Sequence, residues 1–167
     1  MMFPELVAKY RTTITNRTRT DVAFLSDEIE QTSSELGIKV SRLAPAEARA
    51  IRERIAIRFG LDPIELMEQV RPDGLVSICD REIWRSLDDL AGEVPLYLFF
   101  RSDDDDGVWR IPDGKSLLSL LRETIGFVFY IASEALDFLA YYDDHDCLLG
   151  VGRAADWIRR IKLERRW

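Results

Sequence analysis

The chain has 167 residues, of which 47% are hydrophobic and 32% are charged, so its composition is that of a folded globular protein and not of a disordered one. Its 23 Lys and Arg residues stand against 30 Asp and Glu residues, which gives a formal charge of -7 at pH 7. A net negative charge repels phosphate backbones, so it argues against nucleic acid binding and favours a protein partner with a basic surface.

The cysteines and the apolar segments predict a cytoplasmic location. Cys79 and Cys147 are too few and too far apart for a disulfide framework, so we expect two buried thiols in a reducing cytoplasm. The first 13 residues have no apolar segment after a basic start, so no secretory signal is expected. The most apolar region, residues 117–142, is interrupted by four charged side chains, which argues against a membrane span.

Hydrophobic periodicity predicts that residues 1–92 are mainly helical. Apolar residues recur at helical spacing, and Gly, Pro and Thr stand where helices begin or end. The segment Asp62 to Glu65 has the pattern of a capping box, which predicts the start of a third helix. The predicted helices run from Thr20 to Gly37, from Pro45 to Gly60, onward from Asp62, and from Asp80 to Gly92.

Residues 93–167 are predicted to be rich in strands. Two β-rich runs flank the sequence RSDDDDG and predict a hairpin that turns at Asp106 and Gly107. We expect one inserted helix over residues 115–125, three antiparallel strands over 127–133, 137–142 and 146–151, and a C-terminal helix over 154–165. The whole chain is therefore predicted to be a single α+β domain, with an antiparallel sheet of about five strands.

The apolar positions of these elements predict one common core. Its expected members are Ile83, Leu87, Leu117, Leu121, Phe127, Phe129, Leu139, Leu149 and Ile158.

The only histidine of the chain stands between two aspartates, in the sequence Asp144-His145-Asp146. This trio is compatible with a metal site, an acid–base group or a polar turn. Zinc sites usually take three protein ligands, and the adjacent Cys147 is expected to point to the other face of its strand. A general base would need a nearby hydroxyl or thiol to act on, and no nucleophile motif is present. A polar hairpin turn is the favoured interpretation, and we predict neither a metal nor a cofactor.

Four consecutive aspartates, residues 103–106, form the second acidic segment. Adjacent carboxylates repel one another, so we expect an extended, solvated loop that presents a negative field to a basic partner. Aromatic side chains often anchor protein interfaces, and Trp109 is expected to do so here. The predicted partner-binding residues are Asp103, Asp104, Asp105, Asp106, Trp109, Asp143, Asp144, His145 and Asp146.

Residues 129–158 resemble the C-terminal portion of small bacterial proteins among polymorphic-toxin immunity proteins and their uncharacterised relatives. The resemblance rests on an aspartate-rich hairpin that ends in a His-Asp pair, followed by a strand and a glycine turn into the last helix. Asp137, Asp144, His145, Asp146 and Gly152 stand at the matching positions. It covers less than a fifth of the chain and implies a non-enzymatic, toxin-neutralising role, without any functional residue to transfer.

Two function hypotheses follow from the sequence. The favoured one is a non-enzymatic acidic binding protein of a bacterial cytoplasm, an immunity protein that masks a cationic toxin site. Acidic complementarity would accelerate its association with a basic partner. The alternative is a metal-dependent hydrolase or small-ligand enzyme that uses residues 143–146 together with carboxylates from elsewhere.

Overall fold

The described part of the chain forms a seven-stranded sheet that carries helices on both faces. The computed structural model describes residues 22–68, 71–124 and 128–166, with side chains described from residue 25 onward. In chain order the elements are α1 (Val22–Leu36), β1 (Ser41–Arg42), α2 (Pro45–Phe59), β2 (Val76–Cys79), a 3-10 helix (Ile83–Ser86), α3 (Leu87–Ala91), β3 (Leu96–Phe99), β4 (Val108–Ile111), α4 (Gly114–Glu123), β5 (Phe129–Ser133), β6 (Phe138–Tyr142), β7 (Cys147–Gly152) and α5 (Arg153–Glu164).

The sheet is antiparallel throughout, in the order β1-β4-β3-β5-β6-β7-β2, which confirms the predicted α+β class. Seven strands are present where about five were expected. The additional strands are the edges: β1 has only two residues, and β2 is a short segment that the helical interpretation of residues 1–92 left out. A strand of two residues is too short to show the alternation that identifies a strand in a sequence, and the four residues of β2 lie between segments predicted as helices.

The predicted three-strand meander is confirmed. Strand β5 pairs with β6 from Phe129 opposite Tyr142, and β6 pairs with β7 from Phe138 opposite Gly152. The connections between these strands are too short for a parallel crossover. Phe127, the first residue of the predicted strand, lies outside the described residues.

The prediction of one common core is wrong, because the sheet separates two apolar clusters. Alternate residues of a strand face opposite sides, so Leu98 belongs to one cluster and Phe99 to the other. The first cluster joins the sheet to α1, α3, α4 and α5, and the second joins it to α2. Ile83, Leu87, Leu117, Phe129 and Ile158 lie in the first cluster with Leu121 partly buried against it, whereas Leu139 and Leu149 lie in the second.

The predicted third helix does not form. The Asp62 side chain accepts hydrogen bonds from Ile64 and Glu65, as a helix cap would, but the turn then stops. Leu66 has a φ of 43°, and the backbone N–H of Met67 donates to the hydroxyl of Tyr130. Burial of Leu66 and Met67 against the sheet therefore overrides the local helix signal.

The remaining helix predictions agree with the structure apart from their ends. The predicted fourth helix is divided into the 3-10 helix and α3, which ends at Gly92 as expected. Thr20 and Gly126, the predicted start of the first helix and end of the inserted one, lie outside the described residues. No helix in the described ranges has both the length and the apolar character needed to cross a membrane.

Candidate functional site

Both acidic hairpin tips lie at the same end of the sheet. Strand β3 ends opposite the first residues of β4 and β5, and β6 ends opposite the first residues of β5 and β7. Residues 103–106 leave β3 at this end, and residues 143–146 leave β6 at the same end. Only β5 separates β3 from β6, so the two strands are about 10 Å apart. We call residues 103–106 the acidic loop and residues 143–146 the acidic tip. The end of the sheet that carries both is called the acidic end.

The pKa of Tyr141 is influenced by charged residues near both acidic segments. This side chain is buried on β6, and burial raises its pKa. Arg101, just before the acidic loop, opposes that shift, whereas Asp143 and Asp144 in the acidic tip add to it. One buried hydroxyl is therefore influenced by the acidic tip and by the arginine that precedes the acidic loop.

The acidic loop is not a uniformly solvated run. Asp103 and Asp106 are exposed, but Asp104 accepts a hydrogen bond of 2.7 Å from Arg101 and its side chain is only 12% exposed. Asp105 is 1% exposed. The backbone turns at Arg101, whose carbonyl oxygen accepts from the N–H groups of Asp104 and Asp105. The hairpin is thus confirmed, but its turn is not made by Asp106 and Gly107.

Asp105 belongs to the interior of the protein, which corrects its prediction as a partner-binding residue. Its carboxylate accepts hydrogen bonds from Ser26 Oγ at 2.6 Å and from the Gly107 N–H at 2.7 Å, and Arg42 Nη2 lies 3.8 Å away. The guanidinium of Arg52 donates to its carbonyl oxygen at 3.3 Å. A buried carboxylate is stable only with such partners, and here they come from α1, β1 and the backbone of Gly107, while α2 holds the main chain of Asp105.

Trp109 is fully buried, so its prediction as an exposed interface anchor is wrong. Its ring packs edge-on against Phe100, with centroids 5.6 Å apart, and the Arg42 guanidinium lies 5.2 Å from its ring. A Cβ atom on Gly107 would come within 2.8 Å of this ring, so the loop passes directly over it. Trp109 therefore packs against the end of the acidic loop and is not accessible to a partner.

The acidic tip is a polar turn, as the sequence predicts. Asp143 Oδ1 accepts hydrogen bonds from the backbone N–H groups of His145 and Cys147. Asp146 has a φ of 59°, a conformation that aspartate tolerates better than most residues, and its carboxylate accepts a hydrogen bond from the Tyr142 hydroxyl. His145 projects into solvent with 80% of its side chain exposed, and its Nδ1 lies 2.9 Å from Asp144.

Three side chains of the acidic tip could approach one cation. Asp143, Asp144 and His145 each offer a ligand atom, and these atoms lie within 4.8 Å of one another. Two carboxylates and one imidazole are a donor set that transition metals accept. Two of the three side chains are more than half exposed, however, and the imidazole already lies beside both carboxylates. The group could therefore bind a metal only weakly unless a further ligand joined it.

Sequence reasoning missed the groups that lie beneath the acidic loop. Glu68 is half-buried beside Tyr130, and burial raises the pKa of its carboxyl to about 7 although Arg101 opposes that shift. Tyr130 and Tyr141 stack with ring centroids 4.3 Å apart. The strand alternation of β5 and β6 could have predicted the tyrosine pair. Glu68 gave no such signal, because it lies in the segment predicted as a helix.

Cys79 and Cys147 form a disulfide, which corrects the prediction of two buried thiols. They are directly opposite each other in the pairing of β2 with β7, across 68 positions of sequence. Cys79 is exposed and Cys147 is half-buried, and Cys147 follows the acidic tip directly. The disulfide links the edge strand β2 to β7 at the residue that follows the acidic tip.

The fold and these segments were compared with known proteins. No family model, no curated protein and no solved structure matches the chain.

Proposed function

We propose that this is a non-enzymatic acidic binding protein that engages a basic protein surface with the acidic end of its sheet. The observation that carries the proposal is that two acidic segments, 40 positions apart in sequence, lie at the same end of an antiparallel sheet. Asp103, Asp106 and Asp144 are the exposed carboxylates of this surface. Carboxylates at the rim of an interface chiefly accelerate association and select against acidic partners.

The finer form of the proposal is an immunity protein that neutralises a bacterial toxin by covering its cationic site. Its support is the net charge of -7, the resemblance of residues 129–158 and the two acidic segments. The immunity-protein form of the proposal includes a cytoplasmic location, and that location bears on the redox state of the two cysteines. In a reducing compartment Cys79 and Cys147 would be thiols, whereas the disulfide is typical of an oxidising one.

The experiment compares two triple variants of equal charge. The first, Asp103→Asn/Asp106→Asn/Asp144→Asn, neutralises the acidic end. The matched control, Asp73→Asn/Glu93→Gln/Asp156→Asn, neutralises three exposed carboxylates near the opposite end of the sheet. The probes are a synthetic arginine-rich peptide and the purified product of the neighbouring gene, measured by stopped flow at two ionic strengths.

We expect the first variant to associate about tenfold more slowly than wild type at low salt, with a weaker dependence on salt. The control should slow association less than the first variant at low salt and stay within about twofold near 0.15 M salt, where the screening length of about 8 Å is shorter than strands β3 and β6. Equal slowing of both variants would mean that the association rate depends only on net charge. That result would refute the acidic end as the binding surface. Protection of cells from the neighbouring gene product would separately test the toxin-neutralising form.

A second candidate, a metal-dependent hydrolase or small-ligand enzyme, is favoured by the convergence of Asp143, Asp144 and His145. Calorimetric titration of the chelator-treated protein with Zn²⁺ and Mn²⁺ distinguishes the two. Stoichiometric binding that is lost in His145→Ala would favour the metal enzyme and contradict the non-enzymatic proposal. Weak binding that His145→Ala leaves unchanged would remove the second candidate.

A further inference from the structure

A small open cavity lies on the α2 side of the acidic loop. It has a volume of about 140 Å³, several times the roughly 30 Å³ that one water molecule occupies in the liquid. Three arginines from β1 and α2 line it, namely Arg42, Arg49 and Arg52, together with Asp106 of the acidic loop and the preceding Ser102. The cavity is therefore rich in cationic groups, although the chain as a whole is acidic.

Arg52 forms the buried part of the cavity wall, and some of its N–H groups make no hydrogen bond to the described residues. Only 6% of the residue is exposed. Its Nη2 donates to the carbonyl oxygens of Phe100 and Asp105, at 2.9 and 3.3 Å. Its Nε and Nη1 are buried without a hydrogen-bond partner among the described residues. Unpaired N–H groups of a buried guanidinium are costly, so such groups are normally satisfied by water or by an anion.

The nearby carboxylates leave this positive charge partly uncompensated. Asp105 uses its two oxygens on Ser26 and Gly107, with Arg42 at 3.8 Å from one of them. Asp106 is the carboxylate that interacts most strongly with the charge of Arg52, followed by Glu68 and Asp105. Arg49 is exposed and has no ion-pair partner in the described part of the chain. Three guanidinium groups thus line the cavity beside Asp106, while Asp105 is occupied by other donors and Glu68 acts on Arg52 more weakly than Asp106 does.

From this geometry we propose that the cavity is a binding site for a small oxyanion, a phosphate or a carboxylate group. Planar guanidinium groups are the preferred protein partners of both kinds of oxyanion. The Ser102 hydroxyl already donates to the carbonyl oxygen of Ile64, so the arginines supply the recognition. The site shares only Asp106 with the acidic end, and its arginines take no part in the proposed function, so variants of the arginines test it separately.

The first experiment titrates the purified full chain with inorganic phosphate and with acetate, against sodium chloride at matched ionic strength. Isothermal calorimetry and thermal denaturation report binding, because an anion that binds the native state raises the melting temperature in a saturable way. We expect saturable binding of at least one of the two oxyanions and no saturable effect of chloride. The absence of any difference from chloride would overturn the proposal.

The second experiment identifies the site with variants of one helix. Arg49→Gln removes an exposed cavity arginine and should weaken oxyanion binding about five- to tenfold. Arg54→Gln, an exposed arginine of α2 that does not line the cavity, is the matched control and should leave the affinity within about twofold. Arg52→Lys keeps the buried charge but removes the guanidinium, so it should abolish saturable binding if circular dichroism shows it folded. Equal affinities for Arg49→Gln and Arg54→Gln would refute this site.

Discussion

Ser26 donates a hydrogen bond of 2.6 Å to the carboxylate of Asp105, which lies 79 positions further along the chain. Both residues are buried, and the contact joins α1 to the acidic loop. An ionised carboxylate is removed from water only where donors replace its hydration, and here Ser26, the Gly107 N–H and Arg42 do so. The third of four consecutive aspartates is thus a buried structural residue, although its sequence context resembles that of its neighbours.

The first prediction follows from this contact. Asp105→Ala should lower the free energy of unfolding by about 2–4 kcal/mol, because it leaves two buried donors without an acceptor. The exposed neighbour is the control, and Asp103→Ala should change the same quantity by about 0.5 kcal/mol or less. Urea denaturation of both variants measures the difference. A loss for Asp105→Ala as small as that for Asp103→Ala would mean that the carboxylate is solvated.

The second prediction concerns pH and Glu68. Its folded-state pKa of about 7 lies above the ordinary value of 4.5, so the folded state binds this proton more tightly than the unfolded state. The stability that the protonated carboxyl contributes is complete below pH 4.5 and is lost as the pH rises through 7. Glu68→Gln should therefore match wild type near pH 4.5 and exceed its free energy of unfolding by about 1 kcal/mol at pH 8, after allowance for solvent screening of this half-buried group.

The control for Glu68 is another glutamate-to-glutamine change on the surface. Glu53→Gln, on the exposed face of α2, is the matched surface variant, and the gain of Glu68→Gln between pH 4.5 and pH 8 should exceed any gain that it shows. Urea titrations at four pH values in this range measure both variants. A pH-independent difference for Glu68→Gln would show that its carboxyl titrates in the ordinary range.

The third prediction concerns the disulfide. Peptide mapping of the oxidised protein under non-reducing conditions should recover a linked pair that contains Cys79 and Cys147. Because the bond closes a long loop, the double variant Cys79→Ala/Cys147→Ala should lose about 2–4 kcal/mol of unfolding free energy. Alkylation of both cysteines in denatured, unreduced protein would contradict the bond.

The fourth prediction tests the separation of the core by the sheet. Ile158 lies in the first apolar cluster and Ile55 in the second, and both are fully buried. Each Ile→Val change should cost about 0.5–1.5 kcal/mol. Because the two side chains lie on opposite faces of the sheet, the double variant should equal the sum of the single variants within about 0.5 kcal/mol. A larger coupling energy would indicate one continuous core.

Much of the local structure could be predicted from the sequence. The spacing of apolar residues and Gly60 mark α2, and Gly60 indeed takes the left-handed conformation that ends a helix. The β-branched and aromatic residues enriched in β5, β6 and β7 predict three strands, and their short connections require antiparallel pairing. These features depend on neighbours in the sequence, so local patterns suffice to identify them.

The candidate site could be predicted only in part. The sequence identifies both acidic segments and the turn at Asp143, because aspartate bonds its own backbone within a few residues. It does not reveal that the two segments share one end of the sheet, since this depends on β5 lying between β3 and β6. Nor does it reveal Glu68, whose raised pKa arises from burial beneath the acidic loop.

Composition, acidity, the α+β class and most element positions were determined by the sequence alone, because each rests on local propensity or on the period of apolar residues. Only the tertiary structure decided which aspartates are exposed, that Trp109 is buried, and that Cys79 meets Cys147. These outcomes depend on strand order and register, which bring together residues tens of positions apart. A buried Asp105 and an exposed Asp106 differ only in what the rest of the fold packs against them.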